Sequence, residues 1–308
     1  MKLKNFDFTQ KVYLHPEHIV KLKNNQRPFP MTIEVDLTNH CNHRCSFCCW
    51  GEDIAVDKST LDTKIIKKCI HDMKKLGAKA ICFTGGGEPM IHKDFYQILS
   101  FTKKNELDCG LITNGSAIIK EHYLKLLNNL QWIRISVSGG DAASYNKVQG
   151  KDHFERVINN IEMVAKEKVK NNNNIKIGIR MLVNEVNLYT LSKLAKRIKN
   201  INGINYLQIS PNQFSDDEGK FWNGPDVDNE IKKTEKILKT GNIELLTSSF
   251  EILSTSKEEQ QKLINYPKRC YAHFYQITIM ADGNVAFCKN ARFNKKYFVG
   301  NLNNDTIA

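Results

Sequence analysis

Short apolar runs alternate along the first two thirds of this chain with longer stretches whose apolar residues recur at helical spacing. The runs are rich in β-branched residues and predict six buried strands at 32–37, 80–84, 108–113, 132–137, 175–182 and 206–209. Helical stripes lie between them, at 65–76, 95–99, 123–127, 154–161 and 188–198. The first stripe is bounded by Asp62, a candidate N-cap, and Gly77, a candidate C-terminal stop. This alternation predicts an α/β fold with a parallel sheet, which binds ligands at the carboxyl ends of its strands.

The C-terminal third of the chain follows a different pattern. A polar stretch follows Pro211, and two further helices are predicted near 231–238 and 258–264. Residues 275–280 and 285–288 predict a β-hairpin, because Asp282 and Gly283 between them form a typical turn pair. We therefore expect an N-terminal extension over 1–31, the strand and helix repeat over 32–211, and a small α+β extension over 212–308.

The overall composition is that of a globular protein, with 308 residues of which 41% are hydrophobic. The sequence contains no apolar run of membrane-spanning length and no signal-peptide pattern, which predicts a cytoplasmic protein with no membrane partner. Its nine cysteines include four within 41–49, a clustering typical of metal chemistry in a reducing compartment. The net charge of +12 reflects scattered lysines without interleaved aromatic residues, so nucleic acid is not favoured as a partner.

Three cysteines follow the first predicted strand at short spacing. Cys41, Cys45 and Cys48 are separated by three and then two residues, so one tight loop can present all three thiolates. Thiolates are ligands of iron–sulfur clusters, and three of them leave one iron of a cubane open to another ligand. A zinc site with His40 or His43 is the alternative, but structural zinc sites normally combine two separated ligand pairs, and no second pair is well positioned in the sequence.

A glycine-rich segment follows the second predicted strand, at Thr84-Gly85-Gly86-Gly87-Glu88-Pro89. Glycines permit a close approach between the backbone and a ligand. A phosphate-binding loop is the alternative, but such a loop would be followed by Lys-Ser or Lys-Thr, and this one is not.

Together, the cysteine triplet with Phe47 before its third cysteine and the glycine segment resemble the signatures of radical S-adenosylmethionine (radical SAM) enzymes. The resemblance implies a partial (β/α)6 TIM-like barrel. It also implies that Cys41, Cys45 and Cys48 hold a [4Fe–4S] cluster. It places S-adenosylmethionine against Phe47 and the glycine segment, where Gly85, Gly86 and Gly87 would contact the amino group of its methionine part and Glu88 would shape the turn.

The resemblance extends to residues at the ends of the later strands. It assigns cofactor contacts to Thr113 and Asn114 after the third strand and to Ser136 on the fourth. Many relatives carry Asp where this chain has Ser138, so that contact is not transferred. Arg180 on the fifth strand is a candidate partner of the cofactor carboxylate, and the alternative is an arginine that forms a salt bridge within the barrel.

Two cysteines flank the predicted C-terminal hairpin. Cys270 and Cys288, with Gly283 between them, resemble the first half of the auxiliary-cluster domains called SPASM or twitch. The resemblance implies an auxiliary iron–sulfur cluster, and a pair of plain thiols is the alternative. Relatives supply further cysteines downstream, whereas none follows Cys288 in this sequence, so the ligand set is incomplete.

The function that the resemblance implies is reductive cleavage of S-adenosylmethionine to a 5′-deoxyadenosyl radical that abstracts a hydrogen atom from a substrate. An electron donor such as flavodoxin or ferredoxin is then required. About thirty residues precede the first strand, too few for a leader-peptide-binding domain. We therefore expect a small molecule, sugar-like or nucleotide-linked, to be oxidised or otherwise modified. The alternatives are a maturase of ribosomally made peptides and a non-catalytic iron–sulfur or zinc protein. No catalytic proton or hydrogen donor is predicted.

Overall fold

The computed structural model describes residues 15–211, 225–247 and 270–307. These residues form one sheet of ten strands in the order β10-β9-β8-β1-β2-β3-β4-β5-β6-β7. The strands are β1 (Thr32–Asp36), β2 (Ala80–Thr84), β3 (Asp108–Thr113), β4 (Trp132–Ser136), β5 (Lys176–Val183), β6 (Ile204–Pro211), β7 (Glu244–Leu246), β8 (Gln276–Ile279), β9 (Asn284–Ala286) and β10 (Phe298–Asn301). The six predicted strands are confirmed as β1 to β6.

All neighbouring strands from β8 through β1 to β7 run parallel. The sheet is not closed, which agrees with the predicted partial barrel: in the described part of the chain β7 and β10 are its edges. Asp36, the last residue of β1, pairs with Thr84, the last residue of β2. The cysteine loop and the glycine segment therefore leave the sheet side by side, at its carboxyl edge.

The described residues also form nine α-helices. They are α1 (Pro16–Lys23), α2 (Gly51–Val56), α3 (Thr63–Lys75), α4 (Phe95–Lys104), α5 (Tyr123–Asn129), α6 (Ala142–Gln149), α7 (Phe154–Lys170), α8 (Leu191–Ile198) and α9 (Pro225–Leu238). The predicted cap of α3 is confirmed, because the Asp62 carboxylate accepts hydrogen bonds from the amides of Lys64 and Ile65 at 2.8 and 3.1 Å. No helix in residues 15–211, 225–247 or 270–307 has the length and apolar character needed to cross a membrane.

The hydrophobic core lies between the helices and the face of the sheet that they cover. On β4, Ile133 and Ile135 belong to this core and are fully buried. Side chains alternate between the two faces of a strand, so Arg134 and Ser136 lie on the opposite face, inside the partial barrel. The interior face is therefore partly polar, and it leads up to the edge that carries the cysteine loop.

The predicted C-terminal hairpin is confirmed. Strands β8 and β9 pair antiparallel, and Gly283 at the turn has a φ of 86°, which favours glycine. Strand β8 also pairs parallel to β1, so the hairpin extends the barrel sheet directly. The helix predicted near 258–264 lies outside the described residues, and the division of the chain at residue 212 stays a prediction.

Candidate functional site

The cysteine loop connects β1 to α2 and rests on the end of α6. The amides of Arg44 and Ser46 donate hydrogen bonds to the carbonyl oxygens of Gln149 and Val148, at 3.3 and 2.9 Å. A turn within the loop is closed by the Cys48 amide, which donates to the Cys45 carbonyl at 3.1 Å. These contacts anchor the loop on both sides of its second cysteine.

The three cysteines of the loop are free thiols and are partly exposed to solvent. Burial raises the pKa of the Cys41 thiol to about 11, although the His43 amide opposes this shift. Burial also raises the pKa of Cys45 and of Cys48, and the charge of neighbouring thiols adds to the shift at Cys45. Without a metal to bind, all three side chains are therefore protonated near neutral pH.

The glycine segment packs directly on the backbone that precedes Cys41. The amides of Gly87 and Glu88 donate hydrogen bonds to the carbonyl oxygens of Thr38 and His40, at 3.1 and 2.8 Å. A Cβ atom on Gly87 would lie 1.9 Å from the His40 carbonyl oxygen, a distance that no side chain could tolerate. This glycine is thus needed for contact between the two loops, in addition to the ligand approach that we expected.

Glu88 connects the glycine segment to the loop after β3. Its carboxylate accepts hydrogen bonds from the Met90 amide (3.1 Å), the Thr113 hydroxyl (2.6 Å) and the Asn114 amide (2.7 Å). Burial raises the pKa of this carboxyl, and the three donors act against the shift. The bond to Met90 lies within the turn after the glycine segment, while the other two fix the position of the next loop.

The loop after β3 returns to the cysteine loop. The Asn114 side-chain amide donates to the side-chain oxygen of Asn42 at 2.8 Å, and the Asn42 amide donates to the Ser116 hydroxyl at 2.8 Å. Each of the three loops is therefore hydrogen bonded to the other two. Thr113 and Asn114, both predicted cofactor residues, lie within this network.

The predicted cofactor residues on β4 and β5 face each other across the strand pair. Ser136 pairs in register with Arg180, and both are partly exposed on the interior face. Burial and the neighbouring Arg134 guanidinium lower the pKa of Arg180 to about 10. Ser138 is instead buried, and its hydroxyl accepts a hydrogen bond from the Leu182 amide at 3.2 Å. Ser138 therefore connects the chain after β4 to the last residues of β5.

Other predicted residues occupy less connected positions. Phe47 is half-buried in the cysteine loop. His43, part of the zinc alternative, is turned away toward α6 and α7, where its ring bonds to Gln149 at 3.3 Å and to His153 at 3.1 Å.

Within the described ranges, no three His, Cys, Asp or Glu side chains converge as ligands of one metal ion. A cubane binds each thiolate at a different iron, so it needs a wider arrangement of thiols.

Cys270 and Cys288 line one pocket of about 460 Å³ in the C-terminal region, together with His273, Phe287 and Tyr297. Cys270 is exposed and Cys288 is half-buried, and both are free thiols. The hairpin thus brings the two cysteines to a common cavity, as a shared ligand set requires.

A buried ion-pair cluster that the sequence did not predict joins the C-terminal region to β1. The Arg292 guanidinium donates to Asp36 at 2.6 and 3.0 Å and to Glu34 at 2.8 Å. Burial would lower the pKa of Arg292, but the two carboxylates outweigh it and raise that pKa. Two acidic residues at alternate positions of an otherwise apolar strand were the available signal.

The residue after Arg292 reaches the glycine segment. Phe293 has a φ of 61°, unusual for a bulky side chain, and its ring lies 5.7 Å from that of Trp50 at the end of the cysteine loop. A Cβ atom on Gly86 would lie 3.2 Å from the Phe293 ring. Arg292 and Phe293 therefore place a C-terminal segment against both loops of the candidate site.

The family model described as Radical SAM superfamily matches residues 35–188, which are half of the 308 residues and include the cysteine loop, the glycine segment and the loop after β3. The chain belongs to the radical SAM superfamily. Its cofactors are accordingly a [4Fe–4S] cluster and S-adenosylmethionine, and it is an enzyme. The cysteine loop presents three free thiols, and it lies against Gly87, where there is no room for a side chain. Both features fit this pair of cofactors.

Curated relatives within this superfamily have diverse names. The chain is 30% identical over 139 residues to a probable GTP 3′,8-cyclase of Thermococcus kodakarensis, covering 44% of this chain and 45% of that protein. It is 23% identical over 287 residues to the antilisterial bacteriocin subtilosin biosynthesis protein AlbA of Bacillus subtilis, covering 92% of this chain and 59% of that protein. The chain thus spans less than two thirds of either relative.

Solved radical SAM structures share the fold. The structure of Streptococcus suis SuiB bound to its precursor peptide SuiA superposes with a TM-score of 0.70 at 14% identity. The match covers 100% of this chain and 70% of SuiB. At this identity the likeness establishes the fold alone.

Proposed function

We propose that Cys41, Cys45 and Cys48 hold the [4Fe–4S] cluster and that the loops after β2, β3 and β4 hold S-adenosylmethionine beside it. When bound, the reduced cluster supplies the electron that cleaves S-adenosylmethionine to methionine and the 5′-deoxyadenosyl radical, which abstracts a substrate hydrogen. The electron donor is a small redox protein such as flavodoxin or ferredoxin.

The chain's own residues have three roles in this proposal. The cysteine thiolates bind three irons and leave the fourth accessible. The glycine segment and Phe47 line the cofactor, with Glu88 holding the glycine segment against the loop of Thr113 and Asn114. Ser136 and Arg180, farther along the sheet, bind the amino-acid and ribose parts of the cofactor, where the Arg180 guanidinium suits a carboxylate.

The observation that carries this proposal is the hydrogen-bonded junction of the three loops. Gly87 and Glu88 bond to the backbone just before Cys41, Glu88 bonds to Asn114, and Asn114 bonds to Asn42. Such a junction fixes the thiols relative to the glycine segment, which a reaction between two cofactors demands. A non-catalytic iron–sulfur protein would need the thiols but not the glycine segment.

For the substrate, we favour a small molecule, sugar-like or nucleotide-linked, that is oxidised or otherwise modified. Support comes from the basic interior face around Arg134 and Arg180, which suits an anionic compound. A ribosomally made peptide is the second candidate. It is favoured by the match to AlbA, which is named for bacteriocin biosynthesis and which aligns with 92% of this chain.

The test of the cofactor proposal is anaerobic reconstitution followed by iron counting and by an assay of 5′-deoxyadenosine with a reductant. Cys45→Ala should lose the cluster of the cysteine loop, measured as a fall in iron content and absorption, and should form no 5′-deoxyadenosine. The matched control is Cys69→Ala, which removes a buried thiol from α3 and should retain both. An intact cluster in the wild type without any cleavage of S-adenosylmethionine would contradict the proposal.

The substrate candidates are separated by adding fractions from the source cell to the reconstituted enzyme. A small-molecule fraction that raises 5′-deoxyadenosine formation above the uncoupled rate supports the first candidate, and a peptide fraction that does so supports the second. The genes that adjoin this one provide an independent comparison, since a peptide precursor and sugar-modifying enzymes indicate opposite substrates.

We propose an auxiliary iron–sulfur cluster at Cys270 and Cys288, supported by their shared pocket. Iron content in a variant that lacks Cys41, Cys45 and Cys48 provides the test. Residual iron and cubane absorption, lost on further replacement of Cys288, is the expected result. Their absence would assign these two residues as plain thiols.

A further inference from the structure

Two arginines lie close together on the interior face of the sheet, on the neighbouring strands β4 and β5. The side chain of Arg134 is directed toward β6, where it donates a hydrogen bond to the Gln208 side-chain oxygen at 3.1 Å. Arg134 is only 9% exposed. The Nε atoms of both Arg134 and Arg180 are buried and have no hydrogen-bond partner within the described residues.

Neither arginine has a carboxylate partner in the described parts of the chain, where the ion pairs within 4.0 Å involve other cations. Arg292 provides the contrast, since it is buried in the same barrel interior and pairs with both Glu34 and Asp36. Burying a charge without a counter-ion is costly, and two like charges side by side add to that cost. An arrangement of this kind is expected where an anionic ligand supplies the missing charge.

The two arginines lie at different positions along the strands, and the proposed function accounts for only one of them. Arg180 lies opposite Ser136, the last residue of β4, and the proposed function assigns it to the cofactor carboxylate. Arg134 precedes Ser136 by two residues, so it lies about 7 Å farther from the edge that carries the cysteine loop. With Arg180 assigned to the cofactor, Arg134 is left without a counter-ion among the described residues.

The interior face beside Arg134 carries a tyrosine ring and a further polar group. Its neighbour across the strand pair is Gly178, where a Cβ atom would lie 2.0 Å from the ring of Tyr206. The missing side chain therefore lets the tyrosine ring lie close to the sheet. On the same face of β6, the buried Ser210 hydroxyl has no hydrogen-bond partner among the described residues.

We propose that Arg134 is the binding residue for an oxyanion of the substrate, a carboxylate or a phosphate group, inside the barrel. Guanidinium groups bind both kinds of oxyanion through paired hydrogen bonds. This inference rests on the proposed function, because it takes Arg180 to be occupied by the cofactor. It narrows the substrate class to anionic molecules.

The first test measures binding of inorganic phosphate to the reconstituted enzyme at saturating S-adenosylmethionine and constant ionic strength. Arg134→Gln should weaken phosphate binding at least tenfold while changing the dissociation constant of S-adenosylmethionine less than twofold. Arg134→Lys should retain part of the affinity. The matched control is Arg156→Gln, which removes the same charge from an exposed position of α7 and should bind phosphate like the wild type.

Equal phosphate binding by the wild type and Arg134→Gln would overturn the inference, and so would an absence of phosphate binding in both. Failure of the proposed function has a different signature, because the wild type itself would then neither bind nor cleave S-adenosylmethionine. The two failures are therefore distinguishable in one set of proteins.

The second test is thermal stability in a buffer that contains chloride but no phosphate or carboxylate. Removing an uncompensated buried charge should leave the midpoint of unfolding of Arg134→Gln equal to or above that of the wild type. Added phosphate should stabilise the wild type and not the variant. A midpoint lowered as much as that of Arg292→Gln would instead assign Arg134 a structural role and overturn the inference.

Discussion

Replacement of Arg292 by Met tests how the C-terminal region is attached to the barrel. The substitution leaves Glu34 and Asp36 on adjacent interior positions of β1, with side chains only 12% and 1% exposed and no cation between them. Removing one partner of a buried ion pair costs about 3–5 kcal/mol, because the remaining charge stays buried. We therefore expect Arg292→Met to lower the free energy of unfolding by about that amount.

An exposed ion pair provides a comparison for the stability lost in Arg292→Met. Lys193 and Asp141 approach to 2.7 Å, as closely as the buried pair, but their side chains are 59% and 35% exposed. Pairs of this kind contribute about 0.2–1 kcal/mol, so Lys193→Met should cost no more than that. The difference between the two substitutions isolates the effect of burial.

The loss at Arg292 should also depend on pH. Burial raises the pKa of Asp36, and Arg292 acts against that shift, so its removal raises the pKa further. A carboxyl whose folded pKa exceeds its unfolded value destabilises the fold when it is ionised, and this penalty disappears as pH falls through the folded pKa. The deficit of Arg292→Met should thus be largest near neutral pH and smaller in acid.

Urea unfolding followed by circular dichroism, with iron content matched between proteins, measures these effects. The double variant Asp36→Asn/Arg292→Met should recover part of the stability, since the neutral amide needs no counter-charge. A loss in Arg292→Met no larger than that of Lys193→Met, or a loss that does not change with pH, would show that Arg292 is not the counter-charge of Glu34 and Asp36.

Two further substitutions test the junction of the three loops. Gly87→Ala places a Cβ atom 1.9 Å from the His40 carbonyl oxygen, so it should lower the free energy of unfolding by about 1–3 kcal/mol and reduce iron content, measured by denaturation and iron counting. Glu88→Gln replaces an acceptor of three hydrogen bonds and should weaken S-adenosylmethionine binding by about tenfold while iron content is kept, measured by equilibrium dialysis. Unchanged binding in that variant would show that the position of Asn114 does not matter to the cofactor.

The sequence predicted the strands well because each one is an apolar run with few polar interruptions. It did not predict α6, whose Ala142-Ala-Ser-Tyr-Asn-Lys-Val-Gln149 lacks a continuous apolar stripe. The signal for this helix was its N-terminus, where Asp141 and Ser144 form a capping box. Strand β7 was also missed, because three residues are too few to establish a period.

The cysteine loop and the glycine segment could be placed from the sequence because each follows a strand, and neighbouring parallel strands end at one edge. The partners of the charged residues on the interior face could not be predicted from the sequence. Arg292 meets Asp36 only because β8 pairs with β1, a contact between segments more than two hundred residues apart in the chain. The proximity of Arg134 and Arg180 on the interior face likewise depends on the register of β4 with β5, which pairs Arg134 with Gly178 and Ser136 with Arg180.

The most direct test of the central claim is formation of 5′-deoxyadenosine by the anaerobically reconstituted wild-type protein, compared with Cys45→Ala and Cys69→Ala. We expect that the wild type and Cys69→Ala cleave S-adenosylmethionine when a reductant is present and that Cys45→Ala does not. A wild-type protein that carries an intact [4Fe–4S] cluster and forms no 5′-deoxyadenosine, or equal cleavage by Cys45→Ala, would contradict it.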